Sequence, residues 1–235
     1  MTDMNHKWKG ISSSTLKWIA IISMLIDHFA VAVYSQLENY QMGVYTLMRG
    51  IGRIAFPIYC FLLVEGFCHT HDIMKYIKRC FIFALISEIP FDLAVHGNVF
   101  DLSSQNVFFT MTLGLCTLYA ISYFEKKRPS YVISAICVVI GAAIAQVLEV
   151  DYHYMGVLCI VMFYYMRKYL NRSEDIVGAV LIGLIEPRAA LAFIPIHFYN
   201  GERGMKLKYF FYWVYPVHLL VLGIIRGYAL RHILC

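Results

Sequence analysis

Long apolar runs alternate with short polar breaks along almost the whole chain. The runs near 16–34, 50–70, 79–97, 106–124, 130–149 and 153–170 are each close to the ~20 predominantly apolar residues that a helix needs to cross a bilayer. They lack the alternation of lipid-facing and inward-facing residues that membrane β-strands carry, so helices are expected. Beyond Asn171 the pattern weakens: IVGAVLIGLI and AALAFIPIHFY are short and are separated by Glu186, Pro187 and Arg188. They are read as a helical hairpin of two tilted or re-entrant pieces, followed by a last span over 207–226. The pattern predicts an all-α, polytopic integral membrane helix bundle of about eight or nine transmembrane helices.

Charge placement orients this bundle. Lys75, Lys78 and Arg79, then Lys126, Lys127 and Arg128, then Arg167, Lys168 and Arg172 fall in every second break, whereas NVFDLSSQN (98–106) and EVDYHY (149–154) contain no Lys or Arg. The positive-inside rule puts the basic breaks and the N-terminus in the cytoplasm, with Arg49 and Arg53 as the exception. A hairpin after Asn171 also returns Arg203, Lys206 and Lys208 to that side. Composition agrees: 60% of residues are hydrophobic and 15% charged, and the mean hydropathy is +0.63. The net charge of +5 is explained by these loops, so nucleic acid is not an expected partner; the lipid bilayer is. The polar MTDMNHKWKG leads into the first run without a small-residue cleavage site, which predicts that the first helix is retained. The seven cysteines form no CxxC and sit mostly in apolar runs, as small buried hydrophobes do.

Against this apolar background, buried ionisable residues stand out, because a bilayer core penalises them unless they face a bundle interior. Asp27 and His28 lie inside the first run. Lys17 precedes His28 by eleven residues, which on a helix is about three turns, roughly 16 Å of rise, and within about 20° of the same face. Lys17 alone is explained by snorkelling to the membrane surface; a histidine beside an aspartate deep in a span points to chemistry. Asp27 points about 100° away from His28, and Arg49 and Arg53, one turn apart, are its candidate partners, either as a structural ion pair or as part of a substrate site.

Further polar residues interrupt later runs. Glu65 and His69 are four apart and share a helix face, which reads as a hydrogen-bonded pair. His69 and His71 diverge by about 200° on a helix, and no HExxH or cysteine cluster is present, so no metal is expected. Glu88, Pro90 and Asp92 in ISEIPFD suggest a broken helix lining a cavity. Asn106 opens the fourth run, and Tyr215 and His218 flank Pro216 in the last. On the expected topology the two histidines, the two arginines and several carboxyls converge in the outer half. Interfacial placement would also account for the aromatic residues at 212–215.

LKWIAIISMLIDHFA, RGIGRIAFPIYCFLLVEGF followed by His69 and Thr70, FALISEIPFDLA, NVFFTMTLGL, DYHYMGVLCIVMFYY, and YNGERG with KYFFYWVYPVHLLVLGII occur in one order over nearly the whole chain. In these pieces the sequence resembles the TraX family of conjugative pilin acetylases, within the wider group of transmembrane acyltransferases. The resemblance implies a single transmembrane acyltransferase domain over 1–235 in a bacterial cytoplasmic membrane. It further implies transfer of an acetyl group from cytoplasmic acetyl-CoA to an extracytoplasmic acceptor: a pilin-like protein N-terminus, a glycan, or a small amine or hydroxyl. The wider group carries a basic residue, usually arginine, eleven positions before a histidine; here it is Lys17. His28 is thereby the expected base or acyl-accepting nucleophile, with Asp27 beside it, since acyl transfer needs a group near neutral pKa to take the acceptor proton.

Lys17, Lys75, Lys78 and Arg79 become candidates for the phosphates of CoA. Arg49, Arg53, Glu65, His69, Glu88, Asp92, Asn106, Tyr215 and His218 become candidates around the acceptor. The competing reading is a proton-coupled transporter in which His28, Glu88, Asp92 and His218 relay protons; the absence of an internal repeat counts against it. A purely structural role, with the buried charges as interhelical glue, is a third.

Overall fold

The computed structural model describes residues 10–169 and 174–232; Arg172, Cys235 and the stretch before Gly10 lie outside them. In chain order the described residues form α1 (Ser13–Ala32), α2 (Met42–Gly52), α3 (Ala55–His69), α4 (Ile73–Val95), α5 (Val107–Lys127), α6 (Tyr131–Val147), α7 (His153–Tyr169), α8 (Glu174–Ile185), a 3₁₀ turn (Ala189–Ala192) running into α9 (Phe193–His197), and α10 (Lys208–His232). Among these residues there is no β-strand, only the isolated bridges Ile11 to Tyr199 and Gln105 to Val150. Four helical stretches, Ser13–Gln36, Met42–His69, Val107–Lys127 and Tyr209–Tyr228, are long and apolar enough to cross a membrane.

Local chemistry explains where helices start. Ser12, Asp72, Asn106 and Ser130 cap α1, α4, α5 and α6, each side chain accepting a backbone N–H of the first turn, which satisfies donors that a helix cannot use internally. The run expected over 50–70 is corrected: the helix begins at Met42, breaks at Arg53 and Ile54, and restarts at Ala55. Gly50 and Gly52 weaken the helix before the break, and Pro57 fits the first turn of α3, where its missing N–H costs nothing. Gly52 is also sterically required, because a Cβ there would overlap the Asp27 side chain. The broken helix expected at Pro90 is likewise corrected, since α4 continues through it to Val95.

α10 packs along α4, α5 sits between α4 and the α6–α7 pair, and α1 contacts α2, α3 and α10. The short pieces after Asn171 do form a hairpin, α8 packing on the 3₁₀ turn and α9. Its tip reaches the α2 end of the bundle: Glu186 faces Arg53 at 3.9 Å and Arg188 donates to the Thr46 carbonyl at 3.5 Å. Its return brings the Ile11 N–H to the Phe198 carbonyl at 2.8 Å, back at the start of α1.

The basic breaks gather at one end. Arg167 pairs with Glu65 at 2.8 Å, joining the C-terminal ends of α7 and α3, and Lys168 pairs with Glu125 at 2.7 Å, joining those of α7 and α5. The Ser13 N–H donates to the Glu202 carbonyl at 2.8 Å, which adds the start of α1 and the Arg203 loop to the same end. At the opposite end three arginines are engaged. Arg49 meets Asp27, Arg53 meets Glu186, and Arg226 donates to the Ala94 carbonyl at 2.9 Å and the Val95 carbonyl at 2.5 Å.

Candidate functional site

α1 runs along a cavity of about 520 Å³ that extends from its first turn to beyond its middle. One end is lined by Ser13, Lys17, His69, Arg79 and Arg203, the middle by apolar side chains including Met24, Leu62, Leu63 and Met111, and the far end by Asp27, His28, Gly52, Asp151, Tyr152 and Tyr215. The helical spacing of Lys17 and His28 therefore places them in one cavity, about three turns apart. At the basic end the Lys17 ammonium lies 5.0 Å from the Phe211 ring centroid and the Arg79 guanidinium 5.4 Å from that of Tyr76, cation–π contacts that hold both cations at the wall.

At the other end the two residues of the sequence pair diverge. Asp27 takes the Arg49 guanidinium at 2.6 Å, whereas His28 Nδ1 lies 2.6 Å from His218 Nε2. The two imidazoles are parallel to within 6°, with centroids 5.0 Å apart, so they meet edge to edge and the bond lies in both ring planes. His218 does not line the cavity; it stands behind His28, with its Nδ1 at 2.8 Å from the Val214 carbonyl. Asp151 sits in the turn between α6 and α7, outside the helices. Burial, reinforced by the Asp27 carboxylate, pushes its carboxyl from 3.8 up to about 6.

The remaining sequence candidates divide by position. Glu65, His69, Arg79 and Tyr215 line the cavity; Arg49, Arg53, Glu88, Asp92, Asn106, Lys75 and Lys78 do not. Lys75 is exposed and pairs with its own helix cap, Asp72, at 3.1 Å. The Lys75 backbone N–H, together with that contact, holds the Asp72 carboxyl below its ordinary value. Glu88 accepts from the Asn106 side chain, and Asp92 accepts the Asp101 N–H at 2.9 Å. Glu65 pairs mainly with Arg167; its carboxylate is 3.9 Å from His69 Nδ1, which instead meets the Glu65 backbone carbonyl at 2.8 Å. Among the described residues no group of three or more His, Cys, Asp or Glu side chains is placed to hold a metal ion. Sequence reasoning missed Arg203, Asp151 and Tyr152 as cavity residues. The first was read only as a topology marker and the others lie in a loop whose inward fold has no periodic signature.

Comparison with known proteins places the chain. The family model described as "TraX protein" matches residues 12–226. The chain belongs to the TraX family. This TraX-family protein is 29% identical, over 90% of its length and 94% of the relative's, to a probable fimbrial assembly protein, FimC of serogroup H1, from Dichelobacter nodosus. It is 30% identical, over 52% of its length and 41% of the relative's, to an uncharacterised protein of Rickettsia prowazekii strain Madrid E. No solved structure matches the chain. The family match covers both ends of the cavity, from Ser13 to Tyr215.

Proposed function

We propose that this TraX-family protein is a membrane-embedded acetyltransferase that moves an acetyl group from cytoplasmic acetyl-CoA to an acceptor on the far side of the membrane. A single observation carries the reading: one cavity joins three cationic side chains, Lys17, Arg79 and Arg203, to His28 through an apolar middle. Phosphates of CoA suit the cations, the pantetheine arm suits the apolar passage, and the roughly 16 Å from Lys17 to His28 is a length such an arm spans. In this reading the basic end faces the cytoplasm. α1, α2–α3, α4, α5, α6, α7 and α10 cross the bilayer and the α8–α9 hairpin enters from and returns to the cytoplasmic end, which gives seven crossings, or nine if both arms of the hairpin are counted.

The chemistry balances with His28 as base. The acceptor's amine or hydroxyl attacks the thioester carbonyl while His28 takes its proton; the tetrahedral adduct collapses, the C–S bond breaks, and the proton returns to the sulfur, leaving acetylated acceptor and free CoA. A two-step route through acetyl-His28 uses the same ring nitrogen. Asp27 and Asp151 flank the acceptor end, and the relative named as a fimbrial assembly protein makes an extracytoplasmic protein one acceptor to screen, beside glycans and small amines. The transporter reading gains no comparable support, because Glu88 and Asp92 are turned to Asn106 and the Asp101 amide rather than into the cavity.

Donor binding tests the basic end directly. Acetyl-CoA at about 100 times its Kd stabilises a protein by about 2.7 kcal/mol, so purified protein is expected to show a raised thermal transition with acetyl-CoA. Lys17→Ala combined with Arg79→Ala should abolish that rise. A rise of the same size in the double variant would remove the cationic end from donor binding.

A further inference from the structure

The His28–His218 contact carries information beyond proximity. A backbone carbonyl can only accept, so the 2.8 Å contact between His218 Nδ1 and the Val214 carbonyl requires His218 Nδ1 to hold a proton. In the neutral ring this leaves His218 Nε2 with a lone pair. That nitrogen lies 2.6 Å from His28 Nδ1, and of two neutral rings only His28 can donate there. A neutral His28 with its proton on Nδ1 has its own lone pair on Nε2, on the ring edge that His218 does not use. His28 lines the cavity and His218 does not, so the bare nitrogen belongs to the ring that meets the cavity.

We propose that His218 is a positioning residue that holds His28 as the Nδ1-protonated tautomer and thereby keeps the Nε2 lone pair free for the acyl-transfer step. The functional half rests on the acetyltransferase reading given above; the tautomer half rests on the Val214–His218–His28 chain alone. Both routes of that reading need this lone pair, one to take the acceptor's proton and the other to take the acetyl group. The residue that the sequence places next to His28 does not perform this orientation, because the Asp27 carboxylate is bound to Arg49. The neighbouring Tyr215, 5.9 Å from His28 and 5.6 Å from His218 by ring centroids, meets both at 68° and packs on the pair as a wall.

The test reads the tautomer separately from turnover. Full-length protein with ¹⁵N-labelled histidine is reconstituted in lipid vesicles and held at alkaline pH, where both rings are neutral. The His28 signals, assigned by their loss in His28→Gln, are then recorded by solid-state NMR. The wild type should show His28 with a protonated Nδ1 and a bare Nε2. His218→Leu should move the His28 proton wholly or partly to Nε2, while His218→Gln, whose amide oxygen can accept, should keep the wild-type pattern. Should the leucine variant fail to fold, His218→Asn replaces it, being polar but too short to reach His28.

In acetyl-CoA turnover His218→Leu should lower kcat on the order of 10²-fold with KM for acetyl-CoA within about twofold, and His218→Gln should recover at least about tenfold of the loss. A bare Nδ1 on wild-type His28, or a pattern that His218→Leu and His218→Asn leave unaltered, overturns the proposal. The predicted tautomers without turnover in the wild type would uphold the positioning role and count against the acetyltransferase reading alone.

Discussion

His28 presents a donor on one ring edge and a lone pair on the other, and its neighbours at the far end of the cavity are charged or titratable. Asp151 lies with Tyr152 in a turn outside the helices, and its pH behaviour follows from its setting. Its carboxyl is raised from 3.8 to about 6 because burial penalises the ionised form. In the unfolded chain it ionises at its ordinary value. Its contribution to stability is therefore fully present below pH ~4 and is lost as the pH rises through about 6. Thermal unfolding of Asp151→Asn and wild type in the same lipid should differ little at pH 4, with the variant gaining on the wild type between pH 5 and 7; a difference independent of pH would contradict the assignment. Residue-level geometry was partly legible in the sequence. Lys17 and His28 share a helix, so spacing alone places them on one face, and the Arg49 partner of Asp27 could be named because buried charges need partners. The His218 contact spans 190 residues and depends on how α10 rotates against α1, for which local pattern carries no signal.

Among the helices, buried caps matter more than exposed ones. Asn106 is fully buried; its side chain accepts the Phe108 N–H at 3.0 Å and donates to the Ala84 carbonyl at 2.8 Å and to Glu88. It ties the start of α5 to α4 at the level where Gln105 bridges Val150. Asn106→Ala removes the cap and leaves the Glu88 carboxylate with only the Asn106 N–H at 3.4 Å, so a loss of about 2 kcal/mol is expected, with Asn106→Asp recovering the cap but not the side-chain donor. Equilibrium unfolding of both variants checks this, and a loss below about 0.5 kcal/mol in Asn106→Ala would contradict it. Helix existence was readable because each span is a continuous apolar run, and the hairpin because its halves are too short to cross singly. The break at Arg53 was less so: Gly50 and Gly52 signal weakness, but the side chain that requires Gly52, Asp27, comes from another helix. Pro90 misled in the opposite sense, since a single missing hydrogen bond inside a packed helix does not end it.

For the molecule as a whole, the gathering of Lys75–Arg79, Glu125–Lys168, Arg167 and Arg203 at one end and the engagement of Arg49, Arg53 and Arg226 at the other make the bundle electrically polar along its axis. The cavity shares that axis, with its cations at the basic end and His28 in the opposite half. A donor held at the basic end and a base in the opposite half make the reaction a sided one. The most direct measurement uses purified protein in sealed vesicles of known orientation, supplied with acetyl-labelled acetyl-CoA on one side at a time, with envelope extract as acceptor source. CoA release and label are followed in wild type and in a folded His28→Ala variant. CoA release and label transfer only when the donor meets the Lys17 end, both lost in His28→Ala, is the predicted result. Turnover that persists in His28→Ala, or a folded wild type that neither binds acetyl-CoA nor releases CoA from either side, would contradict it.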